Sequence, residues 1–351
     1  MNAKVLEAEA FFRTVIPNNA PLIDARSESE YQKAHIPGAV NLPILTNEER
    51  REVGIIYKQQ GRQAAVLKGF ELVGPRFSSI IASAVKQFET RNVFIYCWRG
   101  GMRSSILGWL LTMAGFKVTL LNGGYKSFRN LILESFSLPR NVMVIGGKTG
   151  SGKTEILQRL KESGEQVLDL EGLAHHKGSA FGALGQLPQP SNEQFENLIG
   201  SQWLQFDSGS RIWIENESRN IGSCTLPAPV FMRIRDSILV EVHVPVASRK
   251  ERIKNEYGIF STEELSEATK KIGKRLGPLK LKEALSYLEE GNFDQWLDIV
   301  LAYYDKLYSY GTDQRKPELV VKVDSDSGDP LIIANQLKEL KFQYATTNEQ
   351  K

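Results

Sequence analysis

Cys97 lies in the run Tyr96-Cys97-Trp98-Arg99-Gly100-Gly101-Met102-Arg103-Ser104, with two arginines and two glycines in the six residues after it. A loop of this composition between a strand and a helix can aim successive backbone N–H groups at one anionic atom. The helix N-terminus adds partial positive charge, and Arg99 and Arg103 add full charges. Such a setting favours the thiolate, the form in which cysteine acts as a nucleophile. The glycines let the backbone close around the sulfur. An isolated cysteine at a strand end is more often structural, so the arginines and glycines carry the case for chemistry. Cys97, Arg99 and Arg103 are the candidate catalytic residues.

A second chemical signature is Gly147-Lys148-Thr149-Gly150-Ser151-Gly152-Lys153-Thr154, a complete Walker A pattern that follows an apolar run and opens a helical one. Backbone N–H groups of such a loop cradle phosphates, the lysine neutralises their charge and the threonine hydroxyl can hold Mg²⁺. Gly147, Gly150, Ser151, Gly152, Lys153 and Thr154 are therefore expected to bind phosphate. Two further acids are candidates for the same site. Glu215, in Arg211-Ile212-Trp213-Ile214-Glu215, stands where a Walker B strand usually carries Asp. Asp169, with Glu171, follows the next strand, where ligands of α/β sheets gather. A diphosphate without adenine suits this loop as well as a nucleotide does. The adjacent His175 and His176 read as a solvated loop rather than a metal site. Cys224, with only Arg219 charged nearby, reads as a core thiol.

The elements that must hold these loops can be read from short apolar runs. Strands are expected at residues 20–24, 92–96 and 117–121, with a helix over 104–114. This strand–loop–helix–strand order implies a parallel sheet. A second series has strands at 141–145, 166–170, 211–214 and 238–244, a helix over 153–163, and a strongly helical stretch from about 250 to 310. The expected fold class is α/β throughout, with one domain over residues 1–135 and a P-loop NTPase-like domain with a helical C-terminal region over 136–351. The boundary is drawn near Pro139.

Composition is that of a water-soluble globular protein: 351 residues, 41% hydrophobic and 24% charged, with two cysteines too far apart to frame a zinc site. Met1 to Pro17 lacks the pattern of a secretory signal. The most apolar stretch, Ile106 to Leu121, is interrupted and too short to span a bilayer. A cytoplasmic protein without membrane contact is the expectation. The net charge of +3 is compatible with nucleic acid but does not argue for it. Basic clusters at residues 248–254 and 270–275, with Lys280 and Lys282, offer phosphate-contacting faces if they lie on one side of their helices.

The segment Asp24-Ala25-Arg26-Ser27, then Glu30-Tyr31 and His35-Ile36-Pro37-Gly38-Ala39-Val40-Asn41-Leu42-Pro43, resembles the rhodanese family. That likeness sets aside the cysteine-dependent phosphatase which the Cys-x5-Arg spacing also fits. It implies a rhodanese-like N-terminal domain that carries a chalcogen on Cys97, with His35 structural. The combination of the Cys97 loop, Asn122-Gly123-Gly124-Tyr125-Lys126, the Walker A loop and Glu215-Asn216-Glu217-Ser218-Arg219 resembles the tRNA 2-selenouridine synthase family over nearly the whole chain. The resemblance implies a transferase that acts on wobble 2-thiouridine in the anticodon arm of the lysine, glutamate and glutamine tRNAs. It implies geranyl diphosphate and selenophosphate as co-substrates, an S-geranylated intermediate and 2-selenouridine as product. The alternatives are an ATP-dependent sulfurtransferase or small-molecule kinase fused to a rhodanese, and a non-catalytic nucleotide switch.

Overall fold

The computed structural model describes residues 3–340. They form two units. The first holds the described residues up to Leu138 together with Pro190–Gln205; the second holds Pro139–Gln189 and the described residues from Phe206 onward.

In the first unit, β1 (Lys4–Leu6), β2 (Leu22–Asp24), β3 (Ala39–Asn41), β4 (Asn92–Tyr96) and β5 (Lys117–Leu121) form one sheet in the order β1-β5-β4-β2-β3, every pair parallel. Strand β4 is central and buried from Val93 to Tyr96, which explains its unbroken apolar sequence. The helix Met102–Met113 returns over β5, where Gly108 lets the side chains of Val118 and Leu120 approach its backbone. Ile23, Val93, Ile95, Leu107, Leu111 and Val118 make the centre of this core. The 27-residue helix Asn47–Val73 begins at a Thr46–Glu49 capping box and breaks at Gly61, whose φ is +87°.

The single cut expected at residues 135/136 meets a more involved chain path. The helix Asn192–Gln205 belongs to the first unit, packed on the helix Gly124–Ser135. Phe195, Ile199 and Trp203 are fully buried there, as is Ile132. A close approach between Gly200 and Ile132 leaves no room for a side chain at 200.

In the second unit, β6 (Asn141–Gly146), β7 (Gln166–Leu168), β8 (Arg211–Glu215), the short hairpin β9 (Asn220–Ile221) and β10 (Cys224–Thr225), β11 (Ile238–His243) and β12 (Val320–Asp324) are the strands. The main sheet runs β12-β11-β6-β8-β7, all parallel. Strand order reverses at β6, with β7 and β8 on one side and β11 and β12 on the other. Parallel sheets bind ligands at the strand C-termini of such a reversal, and the loop after β6 is Gly147–Gly152. The expected strand over 166–170 stops at Leu168, because Asp169 turns the chain by capping the helix Leu170–Ala174. The stretch expected to be helical resolves into Val246–Tyr257, Thr262–Lys271, Gly273–Leu276, Pro278–Glu289 and Phe293–Asp313. Among the described residues no helix is long and apolar enough to cross a membrane.

Candidate active site

The Cys97 sulfur sits at the end of β4, 3% exposed, 3.2 Å from Ser104 Oγ and 3.8 Å from the Gly101 carbonyl. Gly101 is the N-cap of the helix Met102–Met113, and Ser104 lies in its first turn. The sulfur is thus at the positive end of a helix. Gly100 takes φ +65° to make the turn. The first turn of the helix Gly124–Ser135 braces this loop from outside: Tyr125 N donates to Cys97 O at 2.7 Å and Lys126 N to Trp98 O at 3.0 Å.

Arg99 is exposed. Arg103 reaches away from the thiol and donates to Glu30 Oε2 at 2.6 Å. Burial opposes ionisation of Glu30, but the hydrogen bond and charge of Arg103, with Arg50, hold its carboxyl below the ordinary range. Arg103 therefore ties the cysteine helix to the loop after β2. A residue passed over as a site candidate sits under that loop. Arg26 is 1% exposed, paired with Asp24, and its guanidinium carbon lies 4.0 Å from the centre of the Tyr125 ring. His35 stacks on Tyr31 with ring centres 4.0 Å apart, and its backbone N–H meets Gln194 at 2.8 Å, a structural position.

Gly124, the first residue of the helix Gly124–Ser135, is where that helix comes closest to the cysteine loop. Its φ is +59°, and a Cβ there would lie 2.5 Å from Gly100 N and 2.9 Å from Arg99 N. Gly124→Ala is expected to cost the first unit about 2–4 kcal/mol, in the range of strain at a special backbone position. Urea unfolding checks this; a loss below about 1 kcal/mol would mean the cysteine loop adjusts freely.

In the second unit, Gly150 and Gly152 take φ of +81° and +82° and wrap the phosphate loop. Lys153 Nζ donates to Gly147 O at 3.0 Å, and Thr154 Oγ1 lies 3.4 Å from Glu171 Oε2. The loop's outer side is locked by the helix Val246–Tyr257. Arg249, 2% exposed, donates to Thr149 O at 2.8 Å and pairs with Asp305. Arg252 donates to Gly150 O at 2.8 Å and pairs with Glu155. In the same helix Lys250 pairs with Asp298 and Lys254 with Asp294. The basic run 248–254, a candidate phosphate-contacting face in the sequence, is thus occupied in building the P-loop and its support.

The loop opens into a cavity of about 1560 Å³. Single small-molecule sites span roughly 300–1,000 Å³, so there is room for more than one ligand. Gly147, Gly150, Gly152, Lys153 and Thr154 line it, and so do Phe231, Tyr303, Tyr304, Leu307 and Tyr308. Ser151 points inward and is 1% exposed. Of the acids, Glu171 and Glu217 line the cavity, while Asp169 and Glu215 are not among its walls. Asp169 accepts from Gly172 N at 2.7 Å as a helix cap. Glu215 is fully buried and accepts from Leu170 N at 3.0 Å. Burial first, then Asp169 and Glu171, push its carboxyl well above the usual range.

Glu171 and Glu217 hydrogen-bond to each other beside Lys153. Burial, then the neighbouring Glu171, push Glu217 up to about 8. Burial also raises Glu171, against the pull of Lys153. The pair keeps one proton that the unfolded chain loses near its ordinary value of 4.5. Between that value and about 8 the folded state binds more protons than the unfolded one, so stability must fall as pH rises through this window and level off above it. Glu217→Gln is expected to remove much of this slope. Urea midpoints at about pH 5 and about pH 8.5 check it, and an equal or steeper fall in the variant would contradict the shared proton. Cys224 is fully buried, and burial raises its thiol. His175 Nδ1 donates to Pro188 O, 2.9 Å away. Among the described residues no three His, Cys, Asp or Glu side chains converge as a metal site.

Residues 12–131 match the family model described as rhodanese-like domain, and residues 140–335 match that described as tRNA 2-selenouridine synthase AAA domain. The chain is 33% identical over 341 residues to tRNA 2-selenouridine synthase of Pseudomonas fluorescens, covering 87% of this chain and 92% of the relative. With tRNA 2-selenouridine synthase of Nitrosomonas europaea it shares 36% identity over 304 residues, 82% of this chain and 77% of the relative. A similar solved structure is the N-terminal domain of a putative ATP/GTP binding protein from Clostridium difficile, 39% identical with a TM-score of 0.34, over 37% of this chain and 99% of that one.

Proposed function

This chain belongs to the tRNA 2-selenouridine synthase family, and from that premise we propose that it converts wobble 2-thiouridine of tRNA to 2-selenouridine in two steps, through an S-geranylated intermediate. In the first step the 2-thio sulfur attacks C1 of geranyl diphosphate. The C–O bond breaks, and diphosphate leaves with the bonding pair. In the second step the selenium of selenophosphate attacks C2 and the geranylated sulfur departs as a thiol; water then cleaves the Se–P bond, and phosphate is released. A thiocarbonyl sulfur leaves poorly and a thiolate carrying an alkyl group leaves better, which is the chemical reason for two steps. The acceptors are the lysine, glutamate and glutamine tRNAs, recognised through the anticodon arm.

The observation that carries this reading is the P-loop cavity. It combines a phosphate cradle with Phe231, Tyr303, Tyr304, Leu307 and Tyr308, surfaces suited to a hydrocarbon chain. The carboxyl at the Walker B position, Glu215, is fully buried and outside the cavity walls, and burial disfavours its ionised form, so it is poorly placed to serve a nucleotide-bound cation. Lys153 offsets the charge that builds on the leaving diphosphate. Mg²⁺, if it accompanies the diphosphate, would be held by Thr154 Oγ1 and Glu171, which are 3.4 Å apart, and would supply further charge neutralisation. Cys97 acts at the second step, where selenium enters.

Mass spectrometry of nucleosides tests the scheme. A 2-thiouridine anticodon stem-loop is incubated with geranyl diphosphate alone, or with geranyl diphosphate and selenophosphate. The S-geranylated nucleoside in the first arm and 2-selenouridine in the second are the expected results. Unchanged 2-thiouridine in both arms would overturn the substrate assignment and turn attention to phosphate release from ATP.

A further inference from the structure

The walls of the P-loop cavity carry charge that the chemistry at Lys153 does not use. Arg219, Arg235, Lys271, Lys274 and Arg275 all line it. None of the five is within ion-pairing distance of a carboxylate among the described residues; Arg275 meets only the Tyr303 hydroxyl, at 3.4 Å. The acids on the same walls are mostly engaged elsewhere. Glu155 pairs with Arg252 and Glu256 with Lys177. Asp329 caps the helix Pro330–Glu339, and Glu171 and Glu217 hydrogen-bond to each other. Glu251 is the remaining acid of the lining. Behind Arg235 lies another cation, Arg315, 6% exposed, whose guanidinium donates to Ser237 O at 3.0 Å and Asn216 Oδ1 at 2.9 Å rather than to a carboxylate. Arg219, Lys271, Lys274 and Arg275 are exposed, and their charge is open to an anionic ligand.

The five cations are spread over four elements: the loop after β8, the helix Ala228–Asp236, the end of Thr262–Lys271, and Gly273–Leu276. One small anion touches one point, and the P-loop already provides that point. A ring of cations from separate elements around a cavity mouth fits an extended polyanion. We infer that Arg219, Arg235, Lys271, Lys274 and Arg275 form the mouth through which single-stranded RNA enters, its phosphates held by these side chains while one base is presented to the P-loop. This rests on the tRNA reading above and adds the docking surface to it. Sequence-specific RNA enzymes act on unpaired, splayed bases, and the wobble base lies in such a loop.

Fluorescence anisotropy with a labelled 2-thiouridine anticodon stem-loop, across a salt series, tests this. Each phosphate contact to a single strand contributes about −0.7 to the slope of log K against log salt. The triple variant Arg219→Ala/Lys271→Ala/Lys274→Ala is expected to flatten the slope by about 2 and to weaken binding at least about tenfold at low salt. It should raise KM for RNA far more than it lowers kcat. Lys280→Ala/Lys282→Ala removes exposed charge of the same unit that does not line the cavity, and should bind as wild type does. A circular dichroism melt matching wild type shows that the triple variant is folded. Wild-type binding retained by the folded triple variant, or lost equally in the lysine control, overturns the docking surface and leaves the proposed reaction standing. Failure of the wild-type protein to bind the stem-loop overturns the RNA substrate itself.

Discussion

Cys97→Ala is expected to lower 2-selenouridine formation by at least about a thousandfold, the scale on which enzymes lose rate with their nucleophile, while the S-geranylated nucleoside still accumulates. The reason is local. The sulfur lies at a helix N-terminus, 3.2 Å from Ser104 Oγ, in a loop whose outside is braced by Tyr125 and Lys126. No other thiol can replace it: Cys224 is fully buried in the second unit and burial raises its thiol. Cys97→Ser keeps a polar atom of similar reach beside Ser104, so it separates loss of the sulfur from loss of the loop's shape. Both variants should fold and both should fail at the selenium step. Liquid chromatography with mass spectrometry of the product nucleosides reads the two steps separately. Normal 2-selenouridine from the alanine variant would remove Cys97 from the reaction.

Lys153→Ala is expected to slow geranylation by about 10²–10³, corresponding to one lost charge-stabilising contact. The Lys153 ammonium makes a 3.0 Å hydrogen bond to Gly147 O. It also offsets Glu171 and Glu217, both of which it favours in the ionised form. Without it, a diphosphate entering the cavity loses a cation and meets those carboxyls unopposed. A stem-loop already carrying S-geranyl-2-thiouridine bypasses this step, so the variant should still exchange selenium into it at close to the wild-type rate. Equal loss of both steps in the Cys97 and Lys153 variants, with folding intact, would refute this division of labour.

Both chemical loops were legible because each is contiguous and each sits between a strand and a helix that its own residues predict. Cys97 and its glycines, and Gly147 through Thr154, declare themselves within a few residues. What was not legible depends on distant partners. Arg103 reads as a charge for the thiol, but Glu30, 73 residues earlier, claims it. Glu215 occupies the expected strand position, yet it is fully buried against Leu170 N and Asp169, and its neighbour two residues on, Glu217, faces the cavity instead. Alternation along an extended segment puts side chains two apart on the same face; the backbone turn after β8 ends that rule, and nothing in the local composition announces it. The run 248–254 has the composition of an RNA-facing helix. Its acids lie at Glu155, Asp294, Asp298 and Asp305, which only the fold brings near.

The return of Asn192–Gln205 to the first unit has a consequence for how the protein is made. Chains emerge from the ribosome at roughly 5–20 residues per second, and domains tend to fold in the order they appear. The first unit cannot close when its last sheet strand has been synthesised, because the helix that covers Gly124–Ser135 lies beyond about fifty further residues, the stretch Pro139–Gln189. For several seconds the face that receives Phe195, Ile199 and Trp203, including Ile132, is bare. During that interval the nascent chain is a substrate for a holdase or for its own neighbours on a polysome. The phosphate loop is translated inside the same interval, so the first unit is completed only after Gly147–Thr154 has already left the tunnel.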